Sequence, residues 1–389
     1  MMPTHACSAN VLNHMVRFIH TSDWQLGMTR RFLSPEAQSR FTDARIQAIR
    51  TIGELARARD AGFVVVAGDV FESNMVERQI VLRALEALRD ASVPFYLLPG
   101  NHDPLAAGSV FTSQTFITNC PPNVTVLDGT PISVAPDVTI LSSPWRSKRM
   151  TEDAIASVYA AAAGIDGLKI VVGHGQVEPL APDPERADII RMAAANEALA
   201  SGAVHYIALG DRHSRTSVGD SGRVWYSGAP EPTEYRETDP GQVLDVTIDG
   251  DEVHVEACRV ATWRFVEQKA AMEGSADIAR VKTYLDGLPS KERTILNLGF
   301  EGTVSLQVAA DLDAAIDDFR PLFAAIERRA SDNQLVIIPD EMDFSGLGLT
   351  GFASSAVDEL GTLATLPGAP GSEARDAVGL LYRLARGAA

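Results

Sequence analysis

Cysteine is scarce: three in 389 residues, Cys7, Cys120 and Cys258, widely spaced and with no Cys-x-x-Cys pair. This excludes a disulfide framework and a zinc knuckle and fits a reducing cytoplasm, the expected location. No apolar run approaches the ~20 residues that cross a bilayer, so no membrane association is expected. Residues 1–15 lack the apolar core of a signal peptide. Met15 stands just before the first apolar segment, and residues 1–14 are expected to form a disordered extension. Low-complexity tracts and short repeats are missing. So is any excess of positive charge: the formal net charge is −17. Residues 1–150 carry 14 Lys+Arg against 13 Asp+Glu, leaving 20 against 38 for the remainder. An acidic chain binds polyanions poorly in general, so a nucleic-acid contact requires a local patch. Arg30, Arg31, Arg146, Lys148, Arg149, Arg212 and Arg215 lie on or near loops after predicted strands and can form one.

What is present is a normal hydrophobic share, 46%, enough for a sizeable core. Short apolar runs alternate with amphipathic stretches. Strands are predicted at Val16–His20, Phe63–Ala67, Pro94–Leu98, Val138–Leu141, Leu168–Val172 and Val204–Leu209. Their runs lack polar alternation, as strands covered on both faces do. A helix is predicted from Ser34-Pro35-Glu36, where a capping serine precedes a proline, and others at Val76–Arg89, about 151–163 and about 185–200. Beyond Gly210, Arg223–Tyr226, Val243–Ile248 and Glu252–Cys258 read as a β-meander. A boundary is expected near 260–272, followed by a strand at Thr294–Phe300, a helix at about 311–330 and a strand at Leu335–Ile338. Residues after about 340 read as loop, with a last helix at Ser372–Arg386.

Five motifs each follow a predicted strand: Asp23-Trp24-Gln25, Gly68-Asp69, Gly100-Asn101-His102-Asp103, Gly173-His174 and Gly210-Asp211-Arg212-His213. In open α/β sheets ligands bind beyond the carboxyl ends of strands, so these loops can share one crevice. Carboxylate, amide oxygen and imidazole together suit manganese, iron or zinc rather than an all-sulfur site. Two such ions close together polarise a phosphate, activate a water and stabilise the leaving oxygen. One carboxylate must then bridge both, and Asp69 is the best placed. His20 is expected to hydrogen-bond neighbouring loops, and Trp24, Trp145 and Trp225 to pack rather than stack on bases.

The ordered set resembles the calcineurin-like metallophosphoesterase superfamily. His20-Thr21-Ser22-Asp23-Trp24, Gly100-Asn101-His102-Asp103-Pro104 and Tyr226-Ser227-Gly228-Ala229-Pro230 resemble the bacterial SbcD- and YhaO-type DNA repair nucleases over about residues 16–250. The resemblance implies a four-layer α-β-β-α sandwich over 15–262, a small α+β capping-like domain over 263–340 and a tail, 341–389, that can dock a partner. It implies two divalent ions, with Mn2+ favoured and Mg2+, Fe2+ or Zn2+ as alternatives. Asp23, the residue at position 25, Asp69 and His213 would hold one ion; Asp69, Asn101, His174 and Asp211 the other. His102 would stabilise the phosphate and protonate the leaving oxygen. The implied partners are DNA, an SMC-like ATPase and a second copy of the chain.

Two positions depart from the pattern. Gln25 and Asp211 stand where the family has histidine, which shifts the site towards oxygen donors and so towards manganese or magnesium. Arg212 and Arg215 are the candidate substrate contacts. The expected activity is metal-dependent cleavage of DNA phosphodiesters by in-line attack of an activated water. Two alternatives stay open: hydrolysis of a small phosphate ester or cyclic nucleotide, and a degenerate site that only binds DNA ends or a partner.

Overall fold

The computed structural model describes residues 15–338 apart from 148, 149 and 154, then 351–364, 366, 370, 371, 373, 374 and 377. The expected N-terminal extension, Lys148, Arg149 and most of the tail lie outside the described residues. The chain divides into two compact units, Met1–Arg30 with Gln38–Trp263, and Arg31–Ala37 with Arg264–Ala389.

The strands of the first unit are β1 (Met15–Thr21), β2 (Phe63–Val66), β3 (Phe95–Leu97), β4 (Val124–Val126), β5 (Ile132–Ala135), β6 (Val138–Ser142), β7 (Leu168–His174), β8 (Tyr206–Gly210), β9 (Thr216–Ser217), β10 (Val224–Tyr226), β11 (Gln242–Asp249) and β12 (Glu252–Arg259). They form two six-stranded sheets, in the orders β12-β11-β1-β2-β3-β4 and β5-β6-β7-β8-β10-β9. The helices are α1 (Pro35–Ala58), α2 (Arg78–Ala91), α3 (Gln114–Asn119), α4 (Ala156–Ala162) and α5 (Met192–Ala200).

Period-two alternation sends successive side chains of a strand to opposite faces, and here both faces are dry. In β1, Phe18 joins Val65, Ile140, Ile170, Tyr206 and Leu244 in a core between the sheets. Ile19, next along the strand, packs instead with Ile49, Leu85, Leu88 and Phe116 of the helices α1 to α3. A third core, including Ile155, Val158, Val171, Leu199 and Ile207, lies between the other sheet and α4 and α5. Three cores separate four layers, helix, sheet, sheet, helix.

The expected β-meander is a difference. Gln242–Asp249 and Glu252–Arg259 do pair as an antiparallel hairpin, but Val224–Tyr226 runs parallel to β8 in the other sheet. A long irregular loop separates these strands, and it turns out to matter for the site.

The second unit contains β13 (Arg264–Met272), α6 (Ser275–Gly287), β14 (Thr294–Ser305), α7 (Leu306–Phe319), β15 (Ala325–Glu327), β16 (Gln334–Ile338) and α8 (Phe352–Ala364). β13 pairs in parallel along β14, and β15 and β16 pair in parallel with its first and last residues. Phe300, Leu312, Ile316 and Leu285 fill its core. α7 starts earlier than expected because the Ser305 side chain caps it, accepting the Val308 N–H. It ends at Phe319 and passes into a 3-10 turn, Arg320–Leu322, where Pro321 has no N–H to continue the α-helical ladder. α8 falls where the glycine- and alanine-rich stretch reads as loop. Among the described residues no helix is long and apolar enough to cross a membrane.

Candidate metal centre

The loops after β1, β2, β3, β7 and β8 meet at one end of the two sheets, and backbone hydrogen bonds stitch them together. Asp23 N–H donates to Gly68 O at 3.0 Å, Gln25 N–H to Asp69 O at 2.9 Å, and Gly175 N–H to Gly210 O at 3.1 Å. His102 N–H donates to Asp69 Oδ1 at 3.0 Å, and Asp211 N–H to Asp23 Oδ1 at 3.1 Å. The chain turns so sharply that Asp23, Gln25, Asp69 and Asp211 all have positive φ, between 46° and 98°. Such backbone costs of order 1–3 kcal/mol per residue and persists where surrounding structure imposes it. Close packing also explains two glycines. A Cβ on Gly68 would stand 2.1 Å from His174 Nδ1, and one on Gly100 would stand 2.2 Å from Asp69 Oδ1.

The candidate ligands fall into two groups about Asp69. In one, His174 Nε2 lies 2.8 Å from Asn101 Oδ1, 3.4 Å from Asp69 Oδ1 and 3.9 Å from Asp211 Oδ1. In the other, His213 Nε2 lies 3.1 Å from Gln25 Nε2 and 3.9 Å from Asp23 Oδ1. Asp23, Asp69 and His174 each offer a ligand atom within 4.8 Å of the others, and all three are buried. An octahedral ion at 2.0–2.1 Å from its ligands sets neighbouring ligand atoms roughly 2.9 Å apart and opposite ones roughly 4.1 Å apart. The observed spacings lie in or near that range.

A second observation supports the fit. Gln25 Oε1 is buried without a partner. Half a turn of the amide exchanges Oε1 with Nε2 and brings the orphaned oxygen beside His213 Nε2, where a cation would satisfy it. Charge points the same way. Burial opposes charge on the imidazole of His174, yet Asp69, Asp23 and Asp211 raise its pKa well above the ordinary value. His213 is likewise raised to about 9, with burial outweighed by Glu237 and Asp23. Burial pushes Asp69 up, but His174 and His102 outweigh it and hold the carboxyl below its usual value. Burial raises Asp23. The site is thus a buried excess of carboxylate that favours a positive charge at its centre.

The remaining residues orient these. His174 donates Nδ1–H to Ala67 O at 2.8 Å, leaving Nε2 for the site, and Trp145 donates its indole N–H to His174 O at 2.6 Å. His102 is held by Glu72 O at 3.0 Å from Nδ1, and its Nε2 lies 3.9 Å from Asp69 Oδ2. With 38% of its side chain exposed, against none for His174, it is the more accessible of these two imidazoles. His20 is buried and bonds through its two ring nitrogens to Tyr206 Oη and Leu209 O. Trp24 and Trp145 are buried packing residues.

The basic residues are less available than the sequence suggests. Arg215 pairs with Asp239 at 3.2 Å, Arg30 donates to Thr233 O and Arg146 to Asp128 O, each at 2.6 Å. Arg212 is exposed, with Nε donating to Thr216 Oγ1. Sequence reasoning also missed a pair behind His213. Thr233 Oγ1 and Glu237 Oε1 stand 2.7 and 3.1 Å from His213 Nδ1. They lie 20 and 24 residues away on an irregular loop, with no motif to mark them.

The profile of the calcineurin-like phosphoesterase family matches residues 16–228. A DNA double-strand break repair protein Mre11 of Haloferax volcanii is 26% identical over 331 residues, covering 82% of this chain and 68% of that one. The Archaeoglobus fulgidus protein of the same name is 31% identical over 91 residues, 23% of this chain and 19% of its own length. A solved dimetal phosphatase from Danio rerio has a TM-score of 0.40 at 15% identity, covering 63% of this chain and 99% of its own. A solved protein of Thermus thermophilus has a TM-score of 0.39 at 9% identity, covering 62% of this chain and 99% of its own. The chain belongs to the calcineurin-like phosphoesterase family and is a metal-dependent phosphodiester hydrolase.

Proposed function

We propose that the protein is a two-ion DNA nuclease, with Asp23, Gln25, Asp69 and His213 around one divalent ion and Asp69, Asn101, His174 and Asp211 around the other. The observation that carries this reading is the ligand spacing, two groups set out from the central Asp69. Bound ions would supply Lewis-acid polarisation of the phosphate and an activated water. The protein's own residues do the rest. Asp69 would serve both ions: its Oδ1 lies 3.4 Å from His174 Nε2, and it offers a ligand oxygen within 4.8 Å of one from Asp23. His102, fixed through Nδ1 to the Glu72 carbonyl, presents Nε2 at the open side of the site. Its protonated form can stabilise charge on the phosphate and pass a proton to the leaving oxygen. The carboxylate and amide donors favour Mn2+ among the candidate ions.

DNA as the substrate is supported by the Mre11 likeness, which spans 82% of the chain. Arg212 is the better candidate substrate contact, since Arg215 is neutralised by Asp239. An SMC-like ATPase, a second copy of the chain, a capping role for the second unit and residence in a reducing cytoplasm, which suits the free thiols Cys120 and Cys258, belong to the same reading.

Labelled single-stranded and duplex DNA, incubated with manganese-loaded protein, tests it. Cleavage is expected, with His102→Ala slower by roughly 10²–10⁴-fold at unchanged ion content. Hydrolysis of bis-nitrophenyl phosphate without cleavage of DNA would move the substrate to a small phosphate ester. Hydrolysis of neither, by fully loaded protein, would defeat the enzymatic reading.

A further inference from the structure

We propose that Glu237 is a positioning residue of the metal centre: its carboxylate, together with the Thr233 hydroxyl, aims the Nε2 lone pair of His213 at the ion shared with Gln25. The inference rests on the two-ion reading above. Nothing in the motif set points to Glu237, and it lies outside every ligand loop.

The geometry leaves His213 one usable nitrogen. Nδ1–H faces two acceptors, Thr233 Oγ1 at 2.7 Å and Glu237 Oε1 at 3.1 Å. The Thr233 hydroxyl in turn donates to the same Glu237 oxygen, and Thr233 N–H donates to both carboxylate oxygens at 3.1 and 3.0 Å. Nδ1 is therefore spoken for, and Nε2 faces Gln25 and Asp23. The Glu237 side chain is only 3% exposed, so its charge acts on the imidazole with little screening by water.

A plain loop-pinning role explains less. The irregular segment around Glu237 is anchored by other groups. Arg30 donates to Thr233 O, Arg45 to Glu231 O and Pro232 O, and the Glu231 carboxylate accepts the N–H groups of Thr262 and Trp263. None of these anchors needs the Glu237 carboxylate.

The two site imidazoles also differ in what stands behind them. His174 has a neutral carbonyl, Ala67 O, behind its Nδ1. His213 has a carboxylate. A carboxylate behind a ligating imidazole fixes the ring and raises its basicity. Each group also holds one amide, Gln25 beside His213 and Asn101 beside His174, so the carboxylate behind His213 is what sets the two imidazoles apart.

Calorimetric titration of manganese into the metal-free full chain is the test. Glu237→Gln keeps the shape and an acceptor but removes the charge, and Glu237→Leu removes both. One ion is expected to weaken in the order wild type, Gln, Leu, by roughly 10–100-fold at the extreme, while the other stays put. In a His213→Ala background only the other ion remains, and the Glu237 changes should shift its affinity by less than about twofold; in a His174→Ala background they should keep their full effect. Unchanged affinities, equal weakening of both ions, or an undiminished effect without His213 would overturn the proposal. Should the Glu237 variants not fold, Thr233→Val is expected to weaken the same ion, and two ions bound as in wild type would overturn it. A wild-type chain that binds one ion fails the two-ion reading separately. The proposal is then decided by whether Glu237→Gln weakens that ion only when His213 is present.

Discussion

The buried carboxylate of Asp103 accepts the backbone N–H of Phe71 at 2.9 Å. Its other oxygen accepts Gly100 N–H at 2.7 Å. One side chain so joins the loop that carries Asp69 to the loop that carries Asn101 and His102. The carboxyl is held there at a cost: burial first, then the neighbouring Asp69, push its pKa up to about 7. Asp103→Ala would leave two N–H groups without acceptors, at about 1–3 kcal/mol each. A loss of about 2–5 kcal/mol in urea unfolding is expected, together with a fall in hydrolysis as His102 loses its register. A change within experimental error in both would contradict the account.

Arg45 does similar work on the other side of the site. It is 2% exposed and donates to the carbonyls of Trp24, Glu231 and Pro232, with its guanidinium 4.6 Å from the Phe41 ring centroid. Burial lowers its pKa to about 10. Arg45→Met removes the charge and strands three acceptors, so unfolding free energy should fall by about 3 kcal/mol or more. Arg45→Lys should recover part of it. A loss under about 1 kcal/mol for Arg45→Met would show that the buried cation is dispensable.

His20 makes stability depend on acid. Burial lowers its pKa from 6.5 to about 3. Nδ1 accepts from the Tyr206 hydroxyl and Nε2–H donates to Leu209 O, so the fold needs the neutral ring. Below its ordinary pKa the unfolded chain takes up a proton that the folded chain refuses. The contribution is intact above pH 6.5 and is lost as pH falls towards 3, by up to ~1.4 kcal/mol per pH unit. Urea titrations of metal-free protein should show a shallower acid slope for His20→Gln than for wild type. Equal slopes would rule out this imidazole as the source.

The five motifs are legible in the sequence because each couples a strand end to ligand-type residues, four of them at a glycine. The central strands are legible because they are continuous apolar runs. Other features need the fold. Val224–Tyr226 has strand composition, but which sheet it joins depends on its partner, β8. The early start of α7 was readable, since Ser305 is a capping residue and Pro321 a stop. Glu237 and Thr233 were not, because no local pattern ties an acidic residue on an irregular loop to His213. The engagement of Arg215 by Asp239 is equally invisible until both are placed.

Gln25 provides a direct test of donor chemistry. Its side chain is buried beside His213, and its Oε1 has no partner. Gln25→His places an imidazole where an amide stands, so zinc binding should tighten by roughly tenfold relative to manganese. Competition titrations with the two metals measure the ratio. An unchanged ratio would mean that position 25 does not touch an ion.

The central claim is that the two ligand groups around Asp69 each hold an ion. Equilibrium dialysis of the full chain against manganese, with the bound metal counted per chain, tests it most directly. The account predicts two ions for the wild type and the loss of one in either His174→Ala or His213→Ala. Saturation at one ion or fewer in the wild type would contradict it.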